Sequence, residues 1–163
     1  MTYIKRLVMK GFKSFARETI IDLDNHMNVF VGPNGSGKSN ITDALCFVLG
    51  RLSIKSIRAA KSSHLIFSGN KHYKPAPLAY VEIIWDNTEK TFALDEAEIV
   101  IRRTVNRHGQ SIYKINGNIR TRQEILELLS QAGIDPHGFN IVLQGEIMRF
   151  VKMAGEEQRK ILE

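Results

Sequence analysis

Residues 32–39 constrain this chain more than any other segment, because they read Gly-Pro-Asn-Gly-Ser-Gly-Lys-Ser. The spacing Gly-x-x-x-x-Gly-Lys-Ser is typical of a phosphate-binding loop that joins a strand to a helix. Residues 27–31 form a short apolar run that predicts the strand. From Lys38 onward the apolar residues follow a helical period, and Gly50 is a typical helix end. The flanking sequence therefore predicts both elements that such a loop needs.

Each residue type in this loop has a chemical reason. Glycines let the backbone curve until its N–H groups point at a phosphate, where a side chain would obstruct the approach. The helix that begins near Lys38 adds free N–H groups and the positive end of its dipole. The Lys38 ammonium is predicted to reach the β- and γ-phosphates, and the Ser39 hydroxyl to bind Mg²⁺. A chance match in a glycine-rich turn is the alternative, but the flanking strand and helix favour a nucleotide site.

The composition is that of a soluble domain, since 43% of the 163 residues are hydrophobic, which is enough for a core. The 23 Lys and Arg residues exceed the 17 Asp and Glu residues, giving a net charge of +6. This balance fits a polyanionic partner such as nucleic acid, and equally an ordinary solvated surface. A single cysteine, Cys46, excludes an internal disulfide framework and a zinc site of several cysteines, and its apolar neighbours predict burial. No signal peptide or membrane-spanning run is present, so we expect a cytoplasmic protein.

The remaining sequence alternates strand patterns with helical ones. Thr121 and Glu124 form a capping box ahead of an apolar helix, and Gly133 is its stop. The turn pairs at 108–109 and 116–117 join strands into an antiparallel meander. Strands are predicted at residues 3–10, 18–23, 79–85, 98–105, 111–115 and 140–143, and helical periodicity returns from residue 146 to 163. The prediction is an α/β P-loop fold with a mixed central sheet and an antiparallel β layer over residues 79–116.

Four segments together resemble one family of proteins. They are residues 10–15 (Lys-Gly-Phe-Lys-Ser-Phe), 32–44, 65–69 (Leu-Ile-Phe-Ser-Gly) and 140–147 (Asn-Ile-Val-Leu-Gln-Gly-Glu-Ile). In this order they resemble the N-terminal half of the ATPase head of SMC (structural maintenance of chromosomes) proteins, ABC-type ATPases, in their prokaryotic, archaeal-like form. The resemblance implies an N-terminal head lobe over residues 1–153 and the start of a coiled-coil neck helix at 154–163.

The resemblance also implies which residues contact ATP and Mg²⁺. The first loop would approach the phosphates and ribose, and residues 63–66 would lie beside the adenine. Gln144 would complete the Mg²⁺ shell with Ser39 and orient the attacking water, so Lys38 and Gln144 are the catalytic candidates. His64 stands where the family often has an aspartate. The implied nucleotide-binding residues are Lys13, Ser14, Gly32, Pro33, Asn34, Gly35, Ser36, Gly37, Lys38, Ser39, Asn40, Ser63, His64, Leu65, Ile66 and Gln144.

Several motifs of the family's hydrolysis apparatus are absent from this sequence. There is no acidic Walker B strand, no catalytic glutamate after it, no Leu-Ser-Gly-Gly-type signature and no switch histidine. In the family these lie in a C-terminal lobe beyond a long coiled coil, so we expect half a head that is inactive alone. The implied partners are that C-terminal lobe, a second SMC head joined on ATP binding, a kleisin subunit and double-stranded DNA, in a nucleoid-associated location.

A basic stretch after the P-loop helix contains the candidate DNA contacts, Lys55, Arg58 and Lys61, and Arg58 also matches a family position near the nucleotide. Three alternatives to an SMC ATPase remain open. A DNA double-strand-break repair ATPase would share the split head but carry a zinc hook in its coiled coil. A self-contained P-loop kinase or GTPase would need an acidic or base-reading motif that this sequence lacks. An interaction module would bind nucleotide without turnover.

Overall fold

The computed structural model describes residues 2–51 and 62–136. These residues form two α-helices, a 3₁₀ helix at Ser62–Leu65 and six strands. The helices are α1 (Lys38–Val48) and α2 (Arg122–Gln131). The strands are β1 (Ile4–Lys10), β2 (Thr19–Asp22), β3 (Leu78–Asp86), β4 (Glu98–Asn106), β5 (Ser111–Ile115) and β6 (Asn118–Arg120).

The six strands form a single sheet in the order β2-β1-β3-β4-β5-β6, and every pair is antiparallel. In β3 and β4 every second residue is buried, because successive side chains of a strand point to opposite faces. Val81 and Ile83 from β3 face the core with Ile99 and Ile101 from β4. Helix α1 packs on this face against β3 and β4, so the core lies between the P-loop helix and the sheet.

The predicted local signals of turns and caps are confirmed. The turn between β5 and β6 has positive φ at both Asn116 (46°) and Gly117 (84°), as a two-residue hairpin of type I′ requires. Helix α2 begins with the complete Thr121–Glu124 capping box. Strand β6 was not anticipated, because three residues are too few for an alternating pattern to be recognised.

The α/β class with an antiparallel layer is confirmed, whereas the sheet of the described residues is antiparallel throughout and not mixed, and the strand predicted at residues 27–31 is not formed there. Its apolar side chains stand in solvent, with Met27 89%, Val29 72% and Val31 87% exposed. An apolar run predicts an extended segment, but a strand also needs a hydrogen-bonding neighbour. No other strand in the described residues pairs with it, and all strand pairs there are antiparallel.

Cys46 lies buried in α1, as expected. Within residues 2–51 and 62–136, no helix is both long and apolar enough to cross a bilayer. The strand predicted at residues 140–143 and the neck helix at residues 154–163 lie outside the described residues.

Candidate nucleotide-binding site

The loop between residue 31 and α1 has the backbone geometry of a phosphate cradle. Gly35 and Gly37 have φ of 81° and 99°, in the left-handed region that side chains disfavour. A Cβ on Gly37 would lie 3.1 Å from Ser14 Oγ, and one on Gly32 would lie 2.8 Å from Ser36 Oγ. Glycine is therefore favoured at position 37 for two reasons, the left-handed backbone conformation and the close approach of the loop that carries Ser14.

The N-terminal end of α1 is electrostatically prepared for an anion. Gly37 is the N-cap residue, no side chain caps the helix, and the first turn contains no acidic residue. Lys38 curls back over the loop, and its ammonium donates to the carbonyl oxygens of Gly32 and Pro33, the latter at 2.7 Å. The positive end of the helix dipole and the Lys38 ammonium therefore lie at one place. An open depression of about 260 Å³ lies here, lined by Asn34, Gly35, Gly37, Lys38, Ser39 and Asn40.

The loop after β1 runs along one face of α1. Its side chains meet helix positions 47, 43 and 40 in turn, which share a face because they are spaced by about one and two turns. The Phe12 and Phe47 rings have centroids 5.4 Å apart. Lys13 Nζ lies 2.6 Å from Asp43 Oδ2, and Asn40 Nδ2 donates to Ser14 Oγ at 2.8 Å. The structure thus brings Ser14 to the P-loop, whereas the Lys13 ammonium is paired with a carboxylate on α1.

Residues 65–67, which include part of the segment predicted to lie beside the adenine, hydrogen-bond to the loop after β1. The Lys13 N–H donates to Leu65 O at 2.7 Å, and the Phe67 N–H donates to Gly11 O at 2.7 Å. Leu65 and Ile66 are 0% and 5% exposed, so both residues belong to the core, and the Leu65 carbonyl already accepts from the Lys13 N–H. Contact of this segment with a base stays a prediction, and His64 is its exposed side chain in the described part of the chain.

Some predicted site residues fall outside the described part of the chain. These are Gln144 and the basic residues Lys55, Arg58 and Lys61. Ser63 lies in the 3₁₀ helix. Of the two predicted Mg²⁺ ligands, Ser39 is described, in the first turn of α1.

Sequence reasoning missed Asp43, whose carboxylate is buried against Lys13. Asp43 is the one acid in the sequence of the predicted helix, and the structure buries the helix face that carries it together with Ala44 and Phe47. An acid in that position requires a cationic partner. That partner is distant in sequence, so the pattern of α1 alone could not identify it.

Comparison with known proteins agrees with this geometry. The family model described as the RecF/RecN/SMC N terminal domain matches residues 3–145. The chain is 48% identical over 164 residues to the chromosome partition protein Smc of Pyrococcus furiosus. That match covers 100% of this chain but 14% of the relative, so the chain spans a small part of the relative's length.

Two solved structures are similar over nearly all of the chain. One is the Smc head domain with an extended coiled coil bound to the C-terminal domain of ScpA, from Pyrococcus furiosus. It has a TM-score of 0.94 and 49% identity, over 99% of this chain and 41% of that one. The other comes from work on ATP-driven dimerization and DNA stimulated activation of SMC ATPases. It has a TM-score of 0.92 and 47% identity, over 98% of this chain and 97% of that one. The chain therefore belongs to the RecF/RecN/SMC N-terminal domain family and corresponds to the N-terminal region of an SMC head.

Proposed function

We propose that this chain is the ATP-binding lobe of an SMC ATPase that acts in chromosome condensation and segregation. The observation that carries the proposal is the P-loop. Its Gly37 has a left-handed backbone conformation, and its Lys38 ammonium lies over the loop. No side chain caps the N-terminus of α1, and the first turn contains no acidic residue. Backbone N–H groups, a helix dipole and an ammonium in one open depression suit a chain of phosphates. Membership of the SMC family supports ATP as the nucleotide.

Each residue of the loop has a proposed role when ATP binds. The Lys38 ammonium exchanges the carbonyls of Gly32 and Pro33 for phosphate oxygens, so the lysine is already held near its ligand. The Ser39 hydroxyl and the Gln144 amide oxygen would hold Mg²⁺, and the ion would neutralise charge on the phosphates. Two protein ligands suffice in such a site, because Mg²⁺ is commonly bound by one or two protein groups together with substrate phosphates.

A further part of the same head completes the fold in this proposal. Residues 27–31 present Met27, Val29 and Val31 to solvent directly before the P-loop. Apolar side chains at such exposures favour burial against another element. We assign that element to the C-terminal lobe of the head, with residues 1–153 as the N-terminal lobe and residues 154–163 as the start of the neck.

The partners follow from the same assignment. The similar solved head binds a domain of ScpA, and the related study describes ATP-driven dimerization and DNA stimulated activation. For this chain we propose a second head that engages on ATP binding, a kleisin subunit and double-stranded DNA. Such a machine would work in the cytoplasm, at the nucleoid.

Phosphate release tests this function. The isolated 163-residue chain should bind ATP without turnover, because it lacks a catalytic carboxylate and the signature motif of an opposing head. Addition of the C-terminal lobe should start hydrolysis, and the Lys38→Ala variant should abolish it. Steady phosphate release by the isolated chain, lost in Lys38→Ala, would contradict the split of the catalytic apparatus between two lobes.

A further inference from the structure

Asp43 is the most buried charged group near the P-loop in the described residues. Its side chain is 1% exposed, and its Oδ2 lies 2.6 Å from Lys13 Nζ, whose own side chain is 13% exposed. A buried carboxylate is costly unless a cation and hydrogen bonds compensate it. The position of Lys13 is therefore tied to α1 by the charge of Asp43.

This ion pair acts on the loop that carries Ser14. Lys13 adopts a left-handed backbone conformation with φ of 46°, which is uncommon outside glycine. Its side chain is turned to α1, and the next residue, Ser14, places its Oγ within 2.8 Å of Asn40 Nδ2. The same oxygen lies 3.1 Å from the Cβ position of Gly37. The Lys13–Asp43 pair thus fixes how far along α1 the loop lies, and with it the position of the Ser14 hydroxyl at the P-loop.

We propose that Asp43 is a positioning residue for nucleotide binding: it holds Lys13 on α1 so that the Ser14 hydroxyl stands beside the phosphate cradle. The proposal rests on the proposed function, since it assumes that the P-loop binds ATP. Because Asp43 is buried, its effect on a nucleotide passes through the loop that carries Lys13 and Ser14. Lys13 and Asp43 therefore work as one unit, and removing either has the same consequence for ATP.

The test uses the full-length protein and measures the Kd of a slowly hydrolysed ATP analogue with Mg²⁺ by calorimetry. We expect Asp43→Asn to raise Kd about tenfold, the loss expected for one misplaced hydrogen bond to a charged group. In a Ser14→Ala background the same substitution should leave Kd unchanged, because the hydroxyl that Asp43 positions is absent. A role in helix stability alone would lower the melting temperature equally in both backgrounds without this difference in Kd.

A control is Glu82→Gln, which breaks an ion pair of the same length but greater exposure, away from the P-loop. Glu82 Oε2 lies 2.6 Å from Arg102 Nε, and Glu82 is on β3, between the core residues Val81 and Ile83. We expect no change in Kd. If Asp43→Asn does not fold, the double variant Lys13→Met/Asp43→Leu removes both charges and leaves no buried charge of the pair unpaired. It should show the same tenfold increase.

The outcomes separate the inference from the proposed function. If the wild type does not bind the analogue, or binds it as well as Lys38→Ala does, the proposed function fails. If the wild type binds, Lys38→Ala does not, and folded Asp43→Asn has unchanged Kd, the inference alone is overturned. An equal increase in both backgrounds also overturns it, since Asp43 would then act independently of Ser14. Failure of every Asp43 variant to fold would assign the pair to folding and likewise overturn it.

Discussion

Arg103 is a buried cation at the far end of the P-loop helix, and its removal should destabilise the domain measurably. The residue is 7% exposed, and its guanidinium donates to Phe47 O at 2.8 Å, near the C-terminus of α1. It lies between two rings, 4.3 Å from the Phe47 centroid and 4.8 Å from that of Tyr113. Burial lowers the pKa of Arg103 from its ordinary value, because desolvation disfavours the charged guanidinium.

The expected magnitude for Arg103→Ala follows from these contacts. A hydrogen bond from a charged donor contributes about 1.5–3 kcal/mol. Each ring contact adds about 0.5–1 kcal/mol. Against this, Nε has no hydrogen-bond partner among the described residues, so part of the gain is lost to desolvation. We expect a net loss of about 2–4 kcal/mol in the free energy of unfolding. Arg103→Lys should recover little of this loss, because an ammonium cannot lie flat between two rings.

The assay is urea unfolding followed by circular dichroism, with Arg102→Ala as the matched control. Arg102 is the neighbouring residue on β4, its side chain is 40% exposed, and it pairs with Glu82 on the surface of the sheet. A partly exposed pair of this kind contributes about 0–1 kcal/mol, and the contact of Arg102 with the Tyr80 ring, 4.5 Å from its centroid, adds about 0.5–1 kcal/mol. Equal losses for Arg102→Ala and Arg103→Ala, or a loss below about 1 kcal/mol for Arg103→Ala, would show that the buried contacts of Arg103 do not stabilise the domain.

Three further predictions concern titration, turnover and DNA. Burial, and secondly the hydrogen bond to Glu18, raise the pKa of Tyr80 to about 12 from its ordinary 10.0. As pH rises past 10, the phenol of the unfolded chain therefore loses its proton before that of the folded chain. The contribution of Tyr80 to the free energy of unfolding is fully present below pH 10 and is lost as pH rises to about 12. The difference titration between wild type and Tyr80→Phe should have its midpoint near 12. In a complete head Gln144→Ala should lower turnover more than it raises the Kd of ATP, and an unchanged rate would return Gln144 to a turn residue. The Lys55→Glu/Arg58→Glu/Lys61→Glu variant of an engaged head should reduce the salt slope of duplex binding by about 0.9 per lost phosphate contact, with ATP binding measured alongside. An unaltered slope would make this stretch an ordinary solvated surface.

What the sequence predicts correctly in this domain depends on neighbouring residues. The turn at residues 116–117 and the capping box at Thr121 need only side chains within four positions, so their patterns determine their structures. The P-loop is also a local feature, because its glycines determine the backbone conformation of the same short loop to whose carbonyls Lys38 donates. Such features can be identified from one sequence.

The features that the sequence does not yield depend on distant partners. Residues 27–31 have the composition of a strand but no pairing neighbour in the described structure, and composition cannot supply one. Asp43 meets Lys13 across 30 positions, so its role becomes visible only when the loop after β1 lies on α1. Leu65 shows the converse, because a family pattern points to the nucleotide while packing assigns its side chain to the core.

Calorimetric titration of the chain with ATP and Mg²⁺ tests the central claim most directly, with the wild type compared against Lys38→Ala. We expect saturable binding by the wild type and an affinity lower by about tenfold to a hundredfold in the variant, the loss expected for one charge-assisted contact to phosphate. Circular dichroism should show the same fold for both, because Lys38 bonds only to carbonyls of its own loop among the described contacts. Equal affinity for ATP in the two folded proteins would contradict the assignment of residues 32–39 as the phosphate site.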